Sequence, residues 1–377
     1  MNTRERFVRC CRFQEVDRAP MVEIGVWGQA FDRWLKEGMP RDADWDFNVL
    51  KASELFGLEG FVYPEVNVTT CPRFAHTVLE EDEETYVLID QDGARRRRMK
   101  TGMGVAHATT PSMDQFLAFA VENRADFEKI QERFDPDHAG RFPEGWCERA
   151  VALQESGQPL ATTPNGGFGL YSMLRRWMGT ENACTIFYDD PPLAEEMLEF
   201  LTEFFLRLSD NILQAIKPDW QLYFEDFAFK TGPLVSPMIF ERFMLSRYRR
   251  LNDHLRARGI DIIAIDSDGN TEVLLPLLIE AGFNLLLPME QAAGMDAVRI
   301  RKEYGTQLAM LGSIDKRPLA QGRKEIEAEI LRQVPFLLET GGYIPTVDHT
   351  VPPDVSYENF LHYLDVKRKV LEGRYGA

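Results

Sequence analysis

Residues 260–288 read IDIIAIDSDGNTEVLLPLLIEAGFNLLLP. The run 260–265 is apolar and of strand length, and it ends in Asp266-Ser267-Asp268-Gly269-Asn270. Residues 271–281 carry apolar side chains at helical spacing and stop at Gly282, as a C-terminal cap glycine would. A second apolar run, 284–288, follows at once. Continuous rather than alternating apolar strands are those buried on both faces of a parallel sheet, and the strand-helix-strand order is the unit from which such sheets are built.

Working outward, runs of the same kind recur at 21–27, 60–64, 160–163, 220–225, 308–312 and 343–347. With the two already described they make eight. Helical patterns lie between many of them: 192–216, then 237–258 closing at Gly259, and 324–338 ending at Gly341-Gly342. Thr3 is expected to cap a first helix running to Phe13, with a turn at 17–20. Eight strand-helix units predict an α/β fold, a (β/α)8 TIM barrel, in a single domain over 1–377. Residues 71–145 interrupt the rhythm as an excursion. Within it, 76–88 and 93–102 predict a β-hairpin around Asp92-Gly93. Arg95–Arg98 falls in that hairpin and reads as a solvated strand face or, alternatively, as an anion site.

Composition narrows the function. The chain has 377 residues, with 60 acidic against 43 basic, for a net charge of -17. So acidic a surface repels phosphate backbones and anionic membranes, which excludes nucleic acid and membrane as partners. No apolar run approaches the roughly 20 residues of a membrane span, and the charged N-terminal stretch lacks a signal region, so a cytoplasmic protein is expected. The five cysteines are scattered, with no CxxC or HxC spacing, so neither a disulfide framework nor a thiolate zinc site is written locally.

In a parallel barrel the active site lies at the C-terminal ends of the strands. Five consecutive strands end in acids: Glu225-Asp226, Asp266 with Asp268, Glu290, Asp315, and Asp348-His349. Carboxylates crowded into one mouth need a cation or shared protons to offset their repulsion. Oxygen donors with one imidazole suit zinc, manganese or magnesium, so Asp266, Asp268 and His349 are metal-ligand candidates, and zinc is the leading metal. Glu225, Asp266 and His349 are the catalytic candidates. Helix capping is the competing explanation for many of these acids. It fits Asp268-Gly269-Asn270-Thr271 and Asp315 but accounts less well for Asp266 and Glu225. Trp27, Gln29, Tyr63 and Glu65 end the first two strands and form either a substrate wall or core plugs. Asn270 and Glu290 complete the substrate-binding candidates. The loop Asn165-Gly166-Gly167-Phe168-Gly169 could expose amides to an anion or admit a bulky ligand, but it has no nucleotide-loop spacing.

Together these segments resemble the uroporphyrinogen decarboxylase superfamily, and more closely its methyltransferase-like branch, which includes corrinoid-dependent methyltransferases. The resemblance spans the chain. It rests on Thr3-Arg4-Glu5-Arg6-Phe7 with Asp17-Arg18-Ala19-Pro20, on 174–179 with Tyr188-Asp189-Asp190-Pro191, on Glu225-Asp226 and Asp266–Asn270, and on 311–315 and 341–359. It implies a (β/α)8 barrel. The decarboxylases of the superfamily carry an RQAGR-type motif near the first strand that holds acidic substrate side chains. Here that stretch reads Val26-Trp27-Gly28-Gln29-Ala30-Phe31-Asp32-Arg33, without the first arginine or the glycine-arginine ending. The coenzyme M methyltransferases hold zinc with an HxC pair and a later cysteine. The matching positions here are Asp266, Asp268 and His349, so all three ligands are replaced.

The resulting expectation is a corrinoid-dependent methyltransferase. It would move a methyl group from a small methoxylated or methylamine-type molecule to Co(I) of a cobalamin supplied by a small corrinoid carrier protein, the chain itself acting alone or as a homodimer. The rivals are a uroporphyrinogen decarboxylase-like decarboxylase or lyase and a non-catalytic ligand-binding barrel.

Overall fold

The computed structural model describes residues 1–40, 50–100, 114–164 and 167–375. Labelled in chain order, the helices are α1 (Thr3–Cys11), α2 (Gly28–Lys36), α3 (Arg124–Gln131), α4 (Trp146–Glu155), α5 (Leu170–Asp189), α6 (Pro191–Leu213) and α7 (Pro237–Ile239). They continue with α8 (Ser246–Arg256), α9 (Leu275–Ala281), α10 (Ala297–Tyr304), α11 (Lys316–Leu319), α12 (Arg323–Glu339) and α13 (Tyr357–Leu371). The strands are β1 (Thr77–Glu81), β2 (Thr85–Ile89), β3 (Arg95–Met99), β4 (Gln115–Ala118), β5 (Trp220–Phe224), β6 (Ala228–Phe229), β7 (Gly232–Pro233), β8 (Ile262–Asp266), β9 (Leu285–Leu287), β10 (Ala309–Ile314) and β11 (Tyr343–Val347).

The barrel wall is partly a regular ladder and partly a row of single bridges. β5, β8, β9, β10 and β11 form one parallel sheet in that spatial order. Parallel bridges Ala161–Trp220 and Val62–Leu160 extend it on one side, and Val26–Val351 joins the first apolar run to the end of the last. The first and second runs meet where Glu59 N–H donates to the Met21 carbonyl at 2.8 Å and where Leu50 lies between Glu23 and Phe61. All eight expected strand positions therefore lie in the wall of an α/β barrel, but the first three are short and irregular.

Alternation along the strands sorts the core into two layers. Phe61, Trp220, Leu222, Ile262, Ala264, Leu285, Leu287, Ala309, Leu311 and Ile344 form one cluster, and the facing set of Tyr223, Ile263, Ile265, Leu286, Met310, Tyr343 and Val347 joins the helices in the other. Helix α1 belongs to the first cluster. Phe7 packs edge-on against Phe61 and Trp220, with ring centroids 4.7 and 5.2 Å away, and Cys10 Sγ donates to the Tyr343 carbonyl. It thus plugs the end of the barrel opposite the polar strand ends. Its cap is Asn2, not Thr3: the Asn2 side chain accepts from Glu5 N–H and the Glu5 carboxylate accepts from Asn2 N–H, while Thr3 donates to Glu59.

The excursion contains more sheet than the expected hairpin. β1 through β4 form a four-stranded antiparallel sheet, and the β2–β3 pair turns at Asp92-Gly93 as predicted. It lies against α5, where Val121 N–H donates to the Trp177 carbonyl and Arg176 pairs with Asp92 at 3.7 Å. Part of the expected second strand, 100–102, extends beyond β3, and its residues 101–102 fall outside the described residues. Of the four arginines, Arg95 and Arg97 are exposed, whereas Arg96 and Arg98 pair with Asp114. That is the solvated strand face.

Candidate active site

Strand parity decides which acids face the barrel axis. Asp266 follows Ile262 and Ala264 at two-residue steps, and Tyr63 follows Phe61 in the same way, so both continue the inner layer at the rim. Asp266 has no hydrogen-bond donor among the described residues. Burial pushes its carboxyl well above the usual range, and the neighbouring charges of Asp268 and Asp226 push the same way. Asp226 is also raised, first by burial and then by Asp268, against the opposing pull of Arg175 at 3.0 Å. Tyr63 is raised by burial and by the charge of Asp266, and its hydroxyl is buried without a hydrogen-bond partner among the described residues.

His349 faces the same group. Its Nε2 lies 3.3 Å from Asp268 Oδ2. Burial alone would lower the imidazole pKa, but the hydrogen bond and charge of Asp268 outweigh it, and the net shift is upward from 6.5. The partly exposed Trp27 ring lies 6.4 Å from the imidazole, centroid to centroid, so one wall of the mouth is aromatic.

The remaining acids hold the rim together. Glu225 is wholly buried and accepts from Tyr171 N–H at 2.9 Å, from Ser172 N–H at 2.7 Å and from the Tyr248 hydroxyl. It therefore caps α5, a helix that precedes it in the chain, and not the helix that follows it, so the expected kind of capping does not account for Glu225. Burial brings its carboxyl to about 7 despite these donors. A Cβ on Gly169 would lie 2.1 Å from the Phe224 carbonyl oxygen and 2.6 Å from the Glu225 carboxyl carbon, which is why glycine precedes α5. Of the glycine loop around it, Asn165 and Gly166 lie outside the described residues.

Glu290 and Asn270 likewise bind backbone. Glu290 accepts from Gly269 N–H at 2.9 Å, and Asn270 donates to the Ala293 carbonyl while accepting from Glu272 N–H. Asp348 is fully buried and accepts from Gln291 N–H and Lys316 N–H, joining the loops after β9 and β10 to the end of β11. Asp315 caps α11 as expected. Gln29 lines a surface hollow beside Asp32, Arg33 and Lys36 of α2 and Glu37 just beyond it, and Glu65 pairs with Arg149 at the surface. Lys316 had no signal in the sequence. Its ammonium lies 3.3 Å from Glu290 and 3.4 Å from Asp348, and it is positioned by the turn after β10.

Asp266, Asp268, His349 and Tyr63 thus come together, whereas Glu225, Asn270 and Glu290 serve the scaffold. Among the described residues, no group of three or more His, Cys, Asp or Glu side chains is arranged to hold a metal ion. Asp268 and His349, two of the expected ligands, are paired with each other. No helix among the described residues is long and apolar enough to cross a membrane.

Comparison with known proteins agrees with the barrel. None of the curated proteins matches the chain. Among solved structures, a methyltransferase from Methanosarcina mazei is 16% identical, with a TM-score of 0.62 over 98% of this chain and 99% of that one. A B12-independent methionine synthase from Shewanella sp. W3-18-1, in complex with selenomethionine, is 13% identical, with a TM-score of 0.41 over 62% of this chain and 68% of that one. The model of one family, uroporphyrinogen decarboxylase (URO-D), matches residues 100–370, which is most of the chain. The chain belongs to the uroporphyrinogen decarboxylase family.

Proposed function

We propose that this barrel is a methyltransferase that takes a methyl group from a small methoxylated or methylamine-type donor and passes it to Co(I) of a cobalamin on a separate carrier protein. The observation that carries this reading is an acidic mouth whose imidazole is held ready to be protonated and whose cations are already paired. Arg33, the one arginine of the first-strand stretch, pairs with Glu37 and donates to the Pro353 and Asp354 carbonyls. Arg175 is paired with Asp226, and Lys316 with Glu290 and Asp348. A tetrapyrrole bearing many carboxylates would find no unpaired arginine among these and a mouth lined by acids.

A methoxyl oxygen or an amine nitrogen is a poor leaving group until it is protonated. The Co(I) corrinoid supplies the nucleophile and accepts the methyl group. This chain binds the donor, excludes water and delivers a proton. As the carbon-oxygen or carbon-nitrogen bond breaks, its electron pair stays on the heteroatom, and His349 supplies the proton that completes the alcohol or amine. Asp268 holds the imidazole in place and favours its protonated form. The flat face of the corrin would close the mouth over the donor.

The test incubates the protein with methoxylated and methylamine donors and Co(I) cobalamin, and follows the cobalamin spectrum. Methylcobalamin is expected from at least one donor, and His349→Gln is expected to slow its formation by on the order of a hundredfold or more. No methylcobalamin from any donor sinks the reading, and carbon dioxide release from a carboxylated substrate would favour the decarboxylase alternative.

A further inference from the structure

Several polar side-chain atoms in the barrel are buried without a partner among the described residues, including Tyr223 Oη and Trp220 Nε1 deep in the wall. Tyr63 Oη differs from these in its place. Tyr63 is only partly buried, continues the inner layer at the rim, and feels the charge of Asp266. Its hydroxyl is buried and, among the described residues, has neither a hydrogen-bond acceptor nor a donor. A hydroxyl so placed is complete only when something entering the mouth bonds to it.

We infer that the Tyr63 hydroxyl is the hydrogen-bond donor to an uncharged ether oxygen of the methyl donor, so that the site selects a methoxyl group over a methylated ammonium. This rests on the methyltransferase reading above and deepens it. A quaternary ammonium has no lone pair, so it would leave the hydroxyl as unpartnered as before. An ether oxygen has two lone pairs and becomes more basic as the methyl group departs. The carbon-oxygen bonding pair stays on that oxygen, the methyl group passes to the Co(I) corrinoid, and the proton comes from His349. The hydrogen bond from Tyr63 therefore strengthens along the reaction, which is the condition for a contact to aid the chemical step as well as binding. Asp266, whose charge acts on Tyr63, is the second polar group of the inner rim, and Trp27, beside His349, supplies an apolar wall.

The experiment measures equilibrium binding to the full chain of three probes that share a phenyl ring: methoxybenzene, ethylbenzene and phenyltrimethylammonium. Methoxybenzene is expected to bind at least tenfold more tightly than ethylbenzene. Tyr63→Phe is expected to erase that preference, leave ethylbenzene binding unchanged, and leave the melting temperature equal or slightly raised, because it removes an unpaired hydroxyl. Tighter binding of phenyltrimethylammonium, retention of the preference in Tyr63→Phe, or no binding of methoxybenzene would each overturn the inference. The outcomes separate it from the parent reading. Methyl transfer from an ammonium donor alone discards the role of Tyr63 and keeps the methyltransferase. The expected binding pattern without any methyl transfer does the reverse.

Discussion

The imidazole of His349 and the carboxylate of Asp268 meet 3.3 Å apart, from the ends of the eighth and fifth barrel strands. The pair sets a pH dependence whose sign is fixed. The folded pKa of His349 lies above 6.5, so the pairing stabilises the fold below that value and the contribution is lost as pH rises through the folded pKa. Both side chains are partly exposed, at 27% and 42%, so the stability effect should be small, about 0–1 kcal/mol. The protonation effect should be clearer. Asp268→Asn is expected to move the His349 titration, followed by imidazole NMR shifts, toward lower pH, and the alkaline limb of the proposed methyl transfer, where the proton donor is lost, should move to lower pH with it. An unmoved titration would show that the pair does not hold the proton.

The largest stability effect is expected at a buried ion pair and not among the mouth residues. Lys367 on α13 and Glu23 on the first strand form an ion pair with both side chains fully buried. Lys367 also donates to the Val22 and Pro345 carbonyls, while Glu23 accepts from Tyr363 and from Val347 N–H. The network joins the first strand, the last strand and the last helix, where the wall itself is held by a single bridge. Lys367→Met leaves a buried carboxylate without its cation, which costs about 3–5 kcal/mol. Denaturant unfolding measures this, and a loss below 1 kcal/mol would show that solvent reaches the site.

These two pairs mark the limit of what the sequence discloses. Apolar runs and closing glycines place all eight wall positions, because burial on both faces leaves a local signature. α9 ends at Gly282 in a left-handed conformation, as its pattern predicts, and Asp315 caps α11. The convergence of Asp266, Asp268 and His349 follows from strand parity once the barrel is granted. By contrast, the capping of α5 by Glu225 depends on a strand packing against a helix that precedes it in the chain, and nothing local encodes it. Lys316 is equally silent, because a lysine after a strand reads as ordinary surface. The metal expectation rests on residue types at strand ends, because distances between side chains are not written in a sequence.

Lys316 is expected to matter as the brace of the rim. It is the cation nearest Asp348, whose carboxyl is raised by burial and lowered in turn by the ammonium. Lys316→Met removes that opposing influence, so Asp348 should hold its proton to higher pH. Its bonds to Gln291 and Lys316 N–H, both made to a carboxylate, should weaken accordingly. The measurement is hydrogen exchange of those two amides. Faster exchange at both, with the amides of β5 unchanged, is the expected result. Equal exchange in the two proteins would mean that the backbone bonds alone hold the loops.

The last prediction concerns Gly169 and Glu225, which must approach closely for α5 to be capped. A methyl group at position 169 would overlap both the Phe224 carbonyl and the Glu225 carboxyl carbon, so the Gly169→Ala backbone must shift and carry the start of α5 with it. Glu225 would then lose donors while remaining buried, a condition worth about 1–3 kcal/mol for each unsatisfied group. The carboxyl, already near 7, should rise further as its amide donors withdraw. The sign follows from proton uptake. An acid titrating at 4.5 when unfolded and about 7 when folded binds more protons in the fold between those values, so wild-type stability should fall as pH rises from 4.5 to 7. Gly169→Ala should lower stability at every pH and extend that decline to higher pH. Glu225→Gln should abolish this part of the pH dependence and lower stability too, because its amide N–H2 must face a backbone N–H donor. Denaturant midpoints measured across pH 4–9 test both variants. A Gly169→Ala protein as stable as wild type, with the same pH profile, would show that α5 does not need the cap.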